Sequence, residues 1–158
     1  MPPATREKKE PTLRVRALQM LARREHTRAE LGRRLAPFAQ NEGEIEALLD
    51  EFDGRGWLSE ARAVEQVVHA RRSRFGSRRI RAELERRGVD AERVASAMDR
   101  VRTGERAALE TVWRKKFGTA PGNASERARQ IRFLQGRGFE LDMILRVIKS
   151  AGAENGDE

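Results

Sequence analysis

The chain contains no cysteine and no tyrosine. Without cysteine there is no disulfide, no zinc ribbon, no iron–sulfur ligation and no thiol nucleophile. Only two histidines are present, His26 and His69, and neither lies in an HExxH pattern or a cysteine context. Aromatics are 5% of the residues. No run approaches the ~20 apolar residues of a membrane span. The first residues pass from Met1-Pro2-Pro3 to Arg6, Lys8 and Lys9 with no apolar leader, so a soluble, cytoplasmic protein with no membrane partner is expected. Prolines number five, three of them within residues 1–11. Between the ends only Pro37 and Pro121 interrupt the chain, which leaves long stretches open to helix.

What is present is charge. The 158 residues hold 33 Lys plus Arg against 25 Asp plus Glu, a formal net charge of +8. The lysines are only Lys8, Lys9, Lys115, Lys116 and Lys149, so the basic charge is nearly all arginine, whose planar fork suits phosphates and carboxylates. Hydrophobic residues are 38%, too few for one thick core. An acidic partner, nucleic acid or an acidic protein surface, fits this balance.

Apolar residues recur at helical spacing and no segment alternates with period two, so the fold class is all-α. Helix starts are marked by Thr27 with Glu30, Asn41 with Glu44, Ser59, Asp90 flanked by the Val89/Val94 staple, and Ser125 after the breaker run 118–123. Glycines 54, 56, 76, 88, 118 and 138 stand where helices should stop. The pattern predicts about nine short helices, near 13–24, 27–36, 42–53, 59–74, 77–87, 90–102, 104–116, 125–137 and 140–151.

Nine helices fall into three groups of three. Leu35 aligns with Leu84 and Leu134, Leu31 with Ile80 and Gln130, Ile45 with Val94 and Ile144, and Leu49 with Met98 and Ile148. Gly88 matches Gly138. A repeat near 50 residues places three-helix units at 12–58, 59–102 and 103–151, flanked by disordered tails at 1–11 and 152–158. Units this small must stack on one another, which predicts an elongated, curved array. Nothing resembles a coiled-coil seam, so a monomer is expected.

Catalytic patterns fail. Gly54-Arg55-Gly56 and Gly136-Arg137-Gly138 lack the third glycine and the strand of a dinucleotide fingerprint. There is no phosphate-binding P-loop, and Asp50 to Gly54 lacks calcium-loop spacing. No enzyme activity and no cofactor are expected.

The surviving feature is a charge gradient. Residues 42–53 carry six acids and no base. Residues 71–87 carry Arg71, Arg72, Arg74, Arg78, Arg79, Arg81, Arg86 and Arg87 against Glu83 and Glu85. Arg114, Lys115 and Lys116, then Arg127, Arg129 and Arg132, extend the basic character. Spacing of four allows Arg79/Glu83 and Arg81/Glu85 surface pairs, which leave most of the cluster unneutralised. The candidate binding residues are therefore the eight arginines of 71–87 with Lys115, Lys116, Arg127 and Arg129. Phe52, Phe133 and Phe139 read as core, Trp57 as a joint between units, and Phe75 and Phe117 as core-facing with base stacking open to them.

Several segments together resemble a known family. Gly56-Trp57-Leu58-Ser59-Glu60-Ala61-Arg62-Ala63 is similar to the Gly-Tyr-Leu-Asp-Asp-x-Arg-Phe-Ala segment of RecX regulatory proteins, with Trp for Tyr, Ser-Glu for the Asp pair and Ala for the aromatic. Residues 76–89 resemble the family's Gly-x-x-Arg-Ile-x-x-x-Leu-x-x-x-Gly-Ile/Val motif. Arg129, Phe133-Leu134, Arg137-Gly138-Phe139 and Val147-Ile148-Lys149 resemble its C-terminal motif, and residues 17–31 fit its start. The likeness covers about 13–150. It implies tandem three-helix units without a cofactor. It also implies a negative modulator of the RecA recombinase that binds the groove of the RecA–DNA filament and suppresses ATP hydrolysis, strand exchange and coprotease activity. A stand-alone DNA-binding helix-turn-helix protein, with the helix opening at Gly76-Ser77-Arg78-Arg79, remains the alternative. A structural adaptor with incidental arginines remains a third.

Overall fold

The computed structural model describes Met1 and residues 9–156. Eight α-helices and one 3-10 turn make up the described secondary structure: α1 (Leu13–Arg23), α2 (Arg28–Leu35), the 3-10 turn Ala36–Phe38, α3 (Glu42–Gly54), α4 (Glu60–Arg71), α5 (Ser77–Arg86), α6 (Ala91–Lys116), α7 (Ala124–Gly136) and α8 (Leu141–Glu154). The chain forms two compact units, Met1–Glu60 and Ala61–Glu158.

Local chemistry sets most helix starts. The side chains of Thr12, Thr27, Asn41, Asp90 and Asn123 each accept a hydrogen bond from a first-turn backbone N–H. The last of these corrects the sequence reading. Asn123, not Ser125, caps α7, accepting from Glu126 N–H at 2.9 Å, and Ser125 lies within the first turn. Pro37 sits in the 3-10 turn, where its missing N–H costs nothing.

Three hydrophobic cores form. In the first unit Ala17, Leu31, Leu35, Ile45, Leu49, Phe52 and Leu58 close together. In the second unit one core joins Val64, Val67, Val68, Ile80, Leu84 and Val89 to Val94–Val101 of α6, and another joins Leu109, Val112 and Trp113 of α6 to Leu134, Phe139, Ile144 and Ile148. Every apolar position aligned by the repeat is buried, and so is Gln130. Gln130 occupies an apolar slot of the pattern and is satisfied there. Its Oε1 accepts from the Trp113 indole N–H at 2.9 Å, and its Nε2 donates to the Thr119 carbonyl at 3.0 Å.

Three boundaries differ from expectation. The helices foreseen at 90–102 and 104–116 are one 26-residue helix, α6. Gly104 alone carries no stop signal: its φ is not positive, no proline follows, and the buried stripe Val101, Glu105, Leu109 continues through it. α4 ends at Arg71 and not near Arg74, the chain turning through 72–75. α8 runs to Glu154, so Gly152–Glu154 are helical and not tail; Ala151 packs on the third core and nothing there breaks the helix. Most of the expected N-terminal tail, residues 2–8, lies outside the described residues, as do 157 and 158.

Candidate basic groove

The second unit holds all twelve sequence-selected cations, and the turn from α4 into α5 organises them. Gly76 is the N-cap of α5 and has no side chain to cap with. Its helix start is satisfied from the α6 and α7–α8 side. Gly76 N–H donates to the Arg137 carbonyl at 2.9 Å, and Arg78 N–H donates to the Gly138 carbonyl at 3.1 Å. Ser77 N–H donates to the buried Glu105 carboxylate at 2.8 Å. A carboxylate at a helix N-terminus also opposes the helix dipole favourably. The first unit uses the same device: Arg28 N–H, at the start of α2, donates to Glu60 Oε1 at 2.5 Å.

This docking gathers cations around two phenyl rings. Phe75 has the guanidiniums of Arg79 at 4.1 Å, Arg137 at 5.3 Å, Arg74 at 5.8 Å and Arg71 at 5.9 Å from its ring centre. Phe133 has Lys116 Nζ and the Arg137 guanidinium, each at 5.2 Å. Arg137 thus serves both rings, and its Nη1 donates to the Arg74 carbonyl at 3.4 Å. Contacts of this kind contribute ~0.5–2 kcal/mol each and fix the planes of long side chains.

Two clefts flank this set. One, about 220 Å3, is lined by Arg71, Phe75, Arg79, Ile80, Ala82, Glu83 and Arg86. The other, about 250 Å3, is lined by Ser73, Arg74, Thr111, Val112, Lys115, Lys116, Phe133 and Arg137.

The electrostatics of the clefts differ. In the first, Glu83 accepts from Arg71 at 3.1 Å and Arg87 at 2.9 Å. Burial pushes the Glu83 carboxyl up, but the two guanidiniums outweigh it and hold it below the usual range. These partners replace the Arg79/Glu83 pairing that spacing allowed. Arg79 turns instead to the Gly136 carbonyl at 3.3 Å. In the second cleft, none of Arg74, Lys115, Lys116 and Arg137 pairs with a carboxylate among the described residues.

The structure therefore sorts the sequence-selected residues. Arg71, Arg79 and Arg86 line one cleft, and Arg74, Lys115 and Lys116 the other. Arg78 and Arg81 are exposed on other parts of the α5 surface. Arg72 is exposed beside Gly104, and Arg87 is taken by Glu83. Arg129 sits 5.9 Å from the Phe117 ring, and Arg127 is exposed in the first turn of α7. Sequence reasoning missed Arg137 as a site residue, although its position before Gly138 repeats Arg87-Gly88. Phe133, read from the sequence as core, does pack on the third core and also reaches the surface. The ring is half-buried, packs edge-on against Phe117 at 5.5 Å and lines the cleft. Trp57, in the first unit, is 41% exposed and lies edge-on to Phe52.

Among the described residues no group of three or more His, Asp or Glu could hold a metal ion, and no helix is long and apolar enough to cross a membrane. Fold and face together define an all-helical protein of tandem three-helix repeats bearing an arginine-rich cleft. Family models described as the second and third three-helix domains of RecX match residues 59–98 and 104–148. The chain is similar to Regulatory protein RecX of Leptothrix cholodnii, 49% identical over 91% of this chain and 92% of that one. It is similar also to Regulatory protein RecX of Ralstonia nicotianae, 42% identical over 93% and 94%. The crystal structure of RecX from Lactobacillus salivarius shares the fold, with a TM-score of 0.71 at 17% identity, covering 89% of this chain and 95% of that one. The chain belongs to the RecX family of regulatory proteins.

Proposed function

We propose that the protein is a negative regulator of the RecA recombinase, binding in the groove of the RecA–DNA filament and inhibiting its ATPase, strand-exchange and coprotease activities. The observation that carries this reading beyond family membership is the set Arg74, Lys115, Lys116 and Arg137, gathered on one face with no carboxylate partner among the described residues. Such a set suits a partner that presents regularly spaced negative charge, as a nucleoprotein filament does. In this reading the working units are the three-helix repeats 12–58, 59–102 and 103–151 of a cytoplasmic monomer that needs no cofactor and no membrane.

The stand-alone helix-turn-helix alternative is less well supported. It needs the first turn of α5 to enter a major groove. That turn is engaged by Glu105, Arg137 and Gly138.

The test is single-stranded-DNA-dependent ATP hydrolysis by the cognate RecA on preformed filaments, with increasing amounts of this protein. Inhibition well below one molecule per recombinase subunit supports the reading with end capping. Inhibition only near stoichiometric amounts supports it with groove coating. No inhibition refutes it.

A further inference from the structure

We propose that the cleft between the end of α6 and α7 is a direct site for single-stranded nucleic acid, holding backbone phosphate on Lys115, Lys116 and Arg137 and an unstacked base against Phe133. This deepens the filament reading and rests on it for the source of the strand, but the chemistry of the cleft can be tested without any recombinase.

Charge is the first argument. Elsewhere in the second unit arginines find carboxylates: Arg93 pairs with Asp90 at 2.8 Å, Arg100 with Glu65 at 2.6 Å and Arg106 with Glu110 at 3.1 Å. Around this cleft Arg74, Lys115, Lys116 and Arg137 stand together with no such partner among the described residues. Like charges brought together repel, and an anionic ligand that releases counterions from its own backbone relieves the repulsion.

Geometry is the second. Two adjacent lysines end α6, and Lys116 Nζ lies 5.2 Å from the Phe133 ring centre. Arg137 is held over the same ring at 5.2 Å and is pinned by its bond to the Arg74 carbonyl. An aromatic ring beside cations is the arrangement that takes one base with its phosphate. The cleft is about 250 Å3, below the ~300–1,000 Å3 of pockets that enclose drug-sized ligands. It has room for part of an extended strand and not for a folded element.

The third argument separates single strand from duplex. A duplex keeps its base faces stacked, so Phe133 would have nothing to meet.

The experiment is fluorescence anisotropy of a labelled oligothymidylate, and of a duplex of equal length, against the full chain at several salt concentrations. Unlabelled poly-glutamate serves as competitor, and circular dichroism checks each variant's fold. The wild type should prefer the single strand. Lys115→Gln with Lys116→Gln should lower the magnitude of the slope of log affinity against log salt by about 1.4, two contacts at ~0.7 each. Phe133→Leu keeps an apolar side chain against Phe117. It should weaken single-strand binding about tenfold, the scale of one lost base stack, with the salt slope unchanged. Equal affinity for duplex, an unaltered slope in the lysine double variant, or displacement by poly-glutamate as effective as by oligothymidylate would each overturn the proposal, the last in favour of an acidic protein surface. Variants that lose strand binding but still inhibit recombinase would leave the filament reading standing and the strand pocket without a role in it. A wild type that binds strand as expected but never inhibits recombinase would do the reverse.

Discussion

Gly76 and Gly138 meet backbone to backbone: a methyl group added at Gly76 would lie 2.4 Å from the Gly138 carbonyl oxygen. Gly138 has φ +91°, and a methyl there would lie 2.4 Å from the Arg79 Cβ. Either substitution to alanine forces apart the turn that gathers Arg74, Arg79 and Arg137. Gly138→Ala combines ~1–3 kcal/mol of backbone strain with ~1–3 kcal/mol of overpacking and should destabilise by about 2–6 kcal/mol. Gly136→Ala, two residues away in α7, meets nothing within 4 Å and should instead stabilise by ~0.4–1 kcal/mol. Urea midpoints of the two variants, moving in opposite directions, check this.

Glu105 is expected to act as a structural acceptor. Glu105→Ala leaves the Ser77 N–H buried without a partner and should cost ~1–3 kcal/mol. Glu105→Gln keeps a carbonyl oxygen in place and should lose less. Thermal denaturation of the pair distinguishes them, and equal losses would show that the charge matters and the hydrogen bond does not.

Restoring the repeat pattern at position 130 should be harmful. Gln130→Leu matches Leu31 and Ile80, yet it strips the Trp113 indole N–H and the Thr119 carbonyl of their partners. A loss of ~1–3 kcal/mol is expected in spite of the added apolar surface. Chemical denaturation followed by Trp113 fluorescence reads it directly.

Acid should weaken the first unit before the second. Burial holds the His26 imidazole below its ordinary value of 6.5, its Nδ1 lying 3.0 Å from the Arg24 carbonyl, with Arg24, Arg34 and Glu30 acting on it. The folded state thus resists a proton that the unfolded chain accepts at 6.5. Stability is full above pH 6.5 and falls as pH drops from there toward the lowered folded value. Glu83 acts in the same direction at lower pH, its lowered carboxyl losing the Arg71 and Arg87 bonds as pH falls below 4.5. Calorimetry at pH 7.5 and 5.5 should show a drop in the wild type that is absent in His26→Asn.

The repeat was readable in the sequence because its signal is burial: Leu35, Leu84 and Leu134 are each fully inaccessible, and side-chain hydrophobicity alone marks them. Capping residues were readable for a similar reason, since Thr27, Asn41 and Asp90 act on their own next turn. The arginine cluster was visible as composition, but its sorting was not. Glu83 takes Arg71 from twelve residues away, and Arg137 reaches the Arg74 carbonyl across 63 positions. The first depends on how α4 meets α5 and the second on how the α7–α8 turn meets the chain before α5, which local spacing does not encode. Gly104 misled in the opposite sense. A glycine lowers helix propensity by ~1 kcal/mol, but two cores on either side of it outweigh that.

The continuity of α6 has a mechanical result. One rigid rod carries Met98 in one core and Leu109 in the next, with no linker between them. A single residue inserted near Gly104 would turn everything beyond it by ~100° and advance it by ~1.5 Å. That shift would carry Glu105 away from Ser77 and swing Lys115 and Lys116 off their side of the molecule. The angular phase of the cations is therefore set by helix length. The second and third repeats are torsionally locked to each other, and their spacing can change only in near-whole turns of α6.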